Sequence, residues 1–323
     1  MAHPSAAQMW QWTLGLPEQL AYRAKGLDKL ELSDAPPRRI LVAGMGGSGV
    51  SGRFLAALAN STTVQIVPWN WAGAPSWLTP ADAVLATSYS GNTAETLATV
   101  NDALAAGIPV TGITTGGKLE QLLRERERPV LSVPGGLPPR AAFGFLLGTG
   151  LRVCARLSGV ELWQPERTVA ALTQLRSNLG SSQFTPISVI TKSLIERPIT
   201  VYGTCPLTAA AALRLKQQLN ENAKQFAWSA TLPELAHNEI TAAGPGRPPS
   251  RLCLTLAQEP PPLDSVLDDG EQTIYLRGSG PSPLAAVLGL VFQGDLVSLA
   301  LAEARGVEPY PIERITAYKA RLG

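Results

Sequence analysis

The sequence predicts an α/β protein built from two doubly wound parallel-sheet domains joined by a helical segment. Three observations lead there. Short β-like runs alternate with helix-like segments, the runs are apolar on both faces, and the alternation pauses midway before resuming. A strand covered by helices on each side reads as a continuous apolar run, whereas a half-exposed strand alternates. At 323 residues the chain has room for about two domains. We expect residues 1–155 to form an N-terminal domain with a leading helix. Residues 156–323 should then hold a helical linker and a C-terminal domain.

The first half opens with "RILVAG", whose glycines lead into the helix-like "SGRFLAALAN". "TVQIVPW" follows, then "DAVLATS" with the helix "TAETLATVNDALAAG". "PVTGIT" leads into "GKLEQLLRERE", and "PVLSVP" closes the series. Residues 141–194 read as helical, with breaks at "SGVELWQPE" and "LGSSQFTP". In the second half, "PITVYGT" precedes "PLTAAAALRLKQQLN", "RLCLTLAQ" comes later, and "QTIYLRG" precedes the long apolar helix "PLAAVLGLVFQGDLVSLALAEARG". "AAGPGRPPS" reads as a loop inside this half.

Composition excludes several classes of function. Hydrophobic residues make up 45% and charged residues 16%, enough for packed cores and too little charge for a disordered chain. With 27 basic and 25 acidic residues there is no basic stripe for nucleic acid, and "LLRERERP" mixes both signs. Cys154, Cys205 and Cys253 are scattered and odd in number, which suits a reducing compartment. The start lacks a basic segment followed by an apolar one, and no uninterrupted apolar run approaches the ~20 residues of a membrane span. A cytoplasmic protein is expected. One histidine outside the N-terminal tail and three dispersed cysteines offer no metal-ligand spacing, so no metal or other cofactor is expected.

Two loops carry the binding chemistry. "VAGMGGSGVSG" places Gly44, Gly46 and Gly49 in G-x-G-x-x-G spacing between a strand and a helix. A dinucleotide site would add an acidic residue about 20 positions on to hold the ribose. No Asp or Glu occurs between Gly49 and Ala81, and no Gly-Lys-Ser/Thr is present for a P-loop. Two readings remain open: backbone N–H groups at a helix start suited to a small anion, with Ser48 beside them, or a tight turn needing glycine. In "LATSYSGNTAETLATV", Asn92 and Glu95 have capping-box spacing, which leaves Ser88, Ser90 and Thr93 unexplained. Several hydroxyls at two neighbouring helix starts, without a lysine, suit a phosphate monoester held by neutral donors.

"SYSGNTAETL" resembles the signature loop of the sugar isomerase (SIS) domain, a flavodoxin-like fold whose members bind phosphorylated sugars. The resemblance implies that Ser48, Ser88, Ser90 and Thr93 hold the phosphate, with the Gly47 backbone close by. In the second half, "LNENAKQFAWSATLPELAHNEI" is similar to the bifunctional phosphoglucose/phosphomannose isomerases, two-SIS-domain enzymes of about this length. "GLPPRAAFGFLLG" and the tail "PIERITAYKARLG" agree with that family too. By this correspondence Glu221 is the base and His237 the ring-opening residue, while Arg140 and Lys319 are active-site cations. Ala236, where a polar residue is expected, and Tyr310, where a smaller one is, depart from the family pattern.

On the residues alone, a lone histidine such as His237 is more often packed or at the surface than catalytic, though Glu234, Asn238 and Glu239 crowd it. Glu221 falls at a helix C-terminus, where the dipole disfavours a carboxylate and suits it to act as a base. The resemblance implies aldose–ketose isomerisation among the 6-phosphates of fructose, glucose and mannose, through a cis-enediol(ate). It also implies a homodimer in which the histidine comes from the neighbouring subunit. A sugar-phosphate sensor without catalysis, and a different sugar-phosphate isomerase, are the competing readings. A regulator would carry a partner-binding module, for which no residues are left over.

Overall fold

The computed structural model describes residues 4–30, 35–60, 62–179, 186–195, 197–242, 248–256, 263–267 and 272–321. The chain begins with helices α1 (Ala6–Leu14) and α2 (Leu16–Ala21). Strand β1 (Arg39–Ala43), helix α3 (Gly46–Ala59) and strand β2 (Gln65–Trp69) follow. Next come β3 (Ala83–Thr87), α4 (Ala94–Ala105), β4 (Val110–Thr114), α5 (Gly117–Glu125) and β5 (Val130–Ser132). Three helices follow: α6 (Phe143–Ser158), α7 (Pro165–Ser177) and α8 (Ile187–Leu194). The second alternation comprises β6 (Ile199–Gly203), α9 (Pro206–Glu221), β7 (Ala227–Thr231), β8 (Ser250–Thr255), α10 (Leu263–Leu267) and β9 (Thr273–Arg277). Helices α11 (Pro283–Ala304) and α12 (Glu313–Arg321) end the chain.

Two compact units emerge. One comprises residues 15–175 with 280–285, the other residues 1–14, 176–279 and 286–323. The sequence reading instead drew a single cut between 155 and 156. Local packing accounts for the difference. The Arg152 guanidinium lies over the Trp163 ring, which keeps the segment after α6 with the first unit. The Trp10 indole donates to Glu303 and the Arg176 guanidinium donates to the Leu14 carbonyl, so α1 belongs with the second.

The first unit holds a five-stranded parallel sheet in the order β2-β1-β3-β4-β5. This is a doubly wound topology whose direction of winding reverses between β1 and β3, the crevice where such sheets bind ligands. Leu41, Val84, Val100, Ala103, Leu119 and Leu123 pack together in its core. At the opposite end of β1, Arg39 makes a bidentate pair with Asp82, whose second oxygen also accepts from the Thr79 N–H and hydroxyl. The second unit holds a four-stranded parallel sheet in the order β7-β6-β8-β9, the same design with its reversal between β6 and β8.

Strand β7 has no counterpart in the sequence reading. It is an edge strand of Ala, Trp, Ser, Ala and Thr, partly exposed and too polar to display the apolar run of β6 beside it. Helix α11 is long and apolar enough to cross a membrane by length and composition, although Gln293 and Asp295 interrupt its apolar run. It is a core helix by burial, since 83% of its most apolar window is inside the protein. Within that window Asp295 pairs with Arg214 of α9. His3, Gly180–Thr185 within the break at "LGSSQFTP", and 243–247 within the loop "AAGPGRPPS" lie outside the described residues.

Candidate functional site

In the first unit, β1 and β3 run side by side with Ala43 opposite Ala86, so the loops leaving them emerge together. Gly44 is needed there. A Cβ on it would sit 2.7 Å from the Thr87 carbonyl oxygen and 3.3 Å from Gly49. The turn then starts α3 at Gly46, with Met45 as N-cap and no side chain capping it. Its first N–H groups have no intrahelical acceptor and carry the positive end of the helix dipole. Asn70, just past β2, occupies the place where a dinucleotide binder keeps its acid. It donates to the Gly44 carbonyl at 2.6 Å and accepts from Arg53 at 3.2 Å, so it fastens the turn.

The hydroxyls expected to hold the phosphate fall on these two loops. Ser48, buried in the first turn of α3, accepts from the Tyr89 N–H at 3.2 Å, which leaves its own proton to donate elsewhere. Ser88 and Thr93 share one hydrogen bond at 3.0 Å, so one proton of the pair is spent and one remains. Ser90 is exposed and accepts from the Asn92 N–H at 3.3 Å. The predicted capping box is corrected. Thr93, not Asn92, is the N-cap of α4, and it makes no side-chain cap bond. Asn92 sits one residue too early and turns to the next helix, where its Oδ1 accepts from the Lys118 N–H at 3.1 Å.

Arg140 lies in a 3-10 turn, Pro139–Ala142, and is buried. Its backbone approaches the first turn of α3 closely enough that a Cβ on Gly47 would meet the Arg140 Cα at 3.2 Å. Gln19 of α2 pins the turn by donating to the Ala141 carbonyl and accepting from the Gly144 N–H. Gly47, Ser48, Ser88, Ser90, Thr93 and the Arg140 backbone are thereby gathered at one end of the sheet.

Tyr89 was missed by sequence reasoning. Between two serines it reads as loop filler, yet its ring turns inward and is buried. The hydroxyl donates to the Pro134 carbonyl at 2.8 Å and accepts from the Leu137 N–H at 3.2 Å, tying this loop to the segment leading into Arg140. Burial raises its phenol above the usual value, partly offset by the Leu137 N–H. The only signal was an aromatic residue placed among small polar ones.

In the second unit, Glu221 is the last residue of α9 and is half-buried. His237 ends a 3-10 turn, Glu234–His237, after β7 and is exposed. The structure does not bring these two together. The chain enters β7 after Glu221, where the Ile199 N–H donates to the Phe226 carbonyl; it leaves toward His237, where the Leu232 N–H donates to the Gly203 carbonyl. The two residues therefore lie beyond opposite ends of β7, whose five residues span on the order of 15 Å at ~3.3 Å per residue. Beside His237, the Tyr202 hydroxyl donates to Glu239 at 2.7 Å, and burial followed by that carboxylate pushes its phenol up. Lys319 is on α12, and its side chain lies outside the described residues.

Residues 32–124 match the SIS domain, and residues 185–322 match the bacterial phospho-glucose isomerase C-terminal SIS domain. A bifunctional phosphoglucose/phosphomannose isomerase of Aquifex aeolicus is 33% identical over 303 residues, 89% of this chain and 91% of that protein. One from Pyrobaculum calidifontis is 33% identical over 312 residues, 93% of each chain. Among solved structures, glucosamine-6-phosphate deaminase from Thermotoga maritima aligns with a TM-score of 0.67 at 14% identity, covering 94% of this chain and 96% of that one; this is a likeness of fold alone.

Proposed function

Because the chain belongs to the bifunctional phosphoglucose/phosphomannose isomerase family, we propose that it interconverts fructose 6-phosphate with glucose 6-phosphate and mannose 6-phosphate. The observation that carries this reading is the set of hydroxyl protons left to donate beside two helix starts without side-chain caps. Such starts favour a phosphate through both N–H groups and dipole. The ester is held by Ser48, Ser88, Ser90, Thr93 and the Gly47 backbone, and the reacting carbons lie several bonds away.

Glu221 takes the proton from C2 of the aldose or C1 of the ketose and returns it to the neighbouring carbon. The hydrogen leaves and re-enters the same molecule, so the balance needs no redox partner. Charge building on the enediolate oxygen calls for a nearby cation, the role of Arg140 and Lys319. His237 moves a proton between the ring oxygen and the anomeric hydroxyl to open the ring. Glucose and mannose 6-phosphates differ at C2, the carbon that becomes planar, so one enediolate can serve both.

The working unit is a homodimer in which His237 of one subunit serves the site containing Glu221 of the other. The placement of these residues beyond opposite ends of β7 supports this, since it sets them apart within one chain.

The test is the purified protein with fructose 6-phosphate and EDTA, with glucose 6-phosphate and mannose 6-phosphate detected separately. Both products are expected from wild type and neither from Glu221→Gln. Binding of fructose 6-phosphate without any turnover would leave the sensor reading in its place.

A further inference from the structure

Glu221 is held with unusual completeness for a residue at the end of a helix. On one side, the Asn220 Oδ1 accepts from the Ala227 N–H at 3.0 Å, tying the helix end to β7. On the other, the Asn222 amide donates to the Ser298 hydroxyl at 2.9 Å, and Ser298 donates to the Asp295 carbonyl in α11. Carbonyls at a helix end usually turn to water. Here the Leu219 carbonyl accepts from the Gln225 N–H, and the Ala223 carbonyl accepts from the Arg305 guanidinium at 3.1 Å.

Lys224 completes the arrangement. Its Nζ donates to the Glu221 carbonyl at 2.5 Å and to the Pro309 carbonyl at 3.3 Å. The residue has a φ of +52°, in the left-handed region. Helices commonly end through such a residue, and glycine is favoured there because a Cβ is strained. A lysine at that place carries a steric cost that glycine would avoid, and its ammonium bonds to two carbonyls from there. A non-glycine residue kept in a sparsely populated conformation points to a requirement for its side chain.

We propose that Lys224 is a positioning residue for the isomerase reaction. Its ammonium fixes the end of α9, which carries Glu221, against the Pro309 segment that leads into α12, which carries Lys319. This rests on the assignment of Glu221 as the base. A base that serves two adjacent carbons must be held within a fraction of an ångström, and loosening its support lowers turnover more than binding. The residues assigned to the phosphate, Ser48, Ser88, Ser90 and Thr93, are not among those that Lys224 clamps.

Lys224→Gly separates positioning from folding, because glycine relieves the left-handed strain while removing the ammonium. We expect a Tm equal to or above that of wild type and an unchanged inhibition constant for inorganic phosphate as a competitive probe. kcat should fall on the order of ten- to a hundredfold. Lys224→Arg, which keeps a cation of similar reach, should recover much of the loss. A folded Lys224→Gly protein with kcat within twofold of wild type overturns the inference. Glu221→Gln is measured beside it: no turnover there with full turnover in Lys224→Gly defeats the clamp alone. Retained turnover in Glu221→Gln defeats the base assignment and the clamp together.

Discussion

Two inactive variants should restore one another when mixed. Glu221→Gln lacks the proposed base, and His237→Ala lacks the proposed ring-opening residue. The two positions lie beyond opposite ends of β7, a five-residue strand, whereas C1, C2 and the ring oxygen of a hexose lie within a few ångströms. If each site takes its glutamate from one chain and its histidine from the partner, every homodimer of either variant is defective at both sites. In a mixed dimer one site is doubly defective and the other carries both native groups. Equal amounts exchanged at random give about half mixed dimers, so roughly one quarter of sites are intact in a twofold-symmetric assembly. The variants are mixed, briefly unfolded in denaturant and refolded together, and turnover of fructose 6-phosphate is measured against wild type at equal total protein. About a quarter of wild-type activity is expected. To keep spontaneous ring opening from masking the result, each variant alone is measured under the same conditions. Activity of the refolded mixture no greater than the mean of the separate variants would refute shared sites.

The phosphate grip is tested by Ser90→Ala/Thr93→Ala, expected to raise KM for fructose 6-phosphate at least tenfold, since a hydrogen bond to a charged group contributes about 1.5–3 kcal/mol. Titration of bound ligand checks that this is affinity, and unchanged affinity returns both hydroxyls to loop structure. Gly91→Ala places a Cβ 1.8 Å from the Gly116 carbonyl at a φ of +69°. It should cost about 2 kcal/mol or more in urea unfolding and weaken substrate binding. The Asp82 carboxyl, held near 2 chiefly by its hydrogen bond from Arg39, gives an acid-sensitive contribution. Its folded value lies below its unfolded value, so the stabilisation is complete above pH ~4 and is lost as the pH falls through about 2. Wild type should lose up to about 2 kcal/mol more than Asp82→Asn across that window, measured by urea unfolding at fixed pH.

The alternation of strands and helices in the first half was legible because each central strand is apolar on both faces and each helix starts after a glycine or hydroxyl loop. Ala83–Thr87 and Val110–Thr114 are buried throughout, which leaves no alternation to confuse with a half-exposed strand. Ala227–Thr231 was not legible, because an edge strand draws its stability from the neighbouring strand and from α9, and its own side chains reveal little. The hydroxyls of the two loops could be found from residue type and spacing. Tyr89 and Gln19 could not, since they act through long-range hydrogen bonds to Pro134, Leu137, Ala141 and Gly144. Lys224 was equally hidden, because a positive φ leaves no mark on a non-glycine residue.

The two halves share a topology, and their helix starts explain why the phosphate is assigned to the first. After β6 the chain enters α9 through Thr204, Cys205 and Pro206, in the place that Gly44–Gly47 occupies after β1. There the polar groups are turned inward. Thr208 Oγ1 accepts from the Thr204 and Cys205 N–H groups and lies 3.4 Å from the Cys205 sulfur, a reciprocal capping box, and the Thr204 hydroxyl lies 3.3 Å from the Thr255 hydroxyl. Proline at the first position of α9 also removes a donor. Helices α3 and α4 start without a side-chain cap, and their hydroxyls accept from backbone N–H groups or from each other. A self-capped start has little left to offer an anion; an uncapped start flanked by hydroxyls has both N–H groups and protons to give. The same fold can thus suit the proposed phosphate grip in one copy and not in the other, with the difference written in a few residues at the mouth of each first helix.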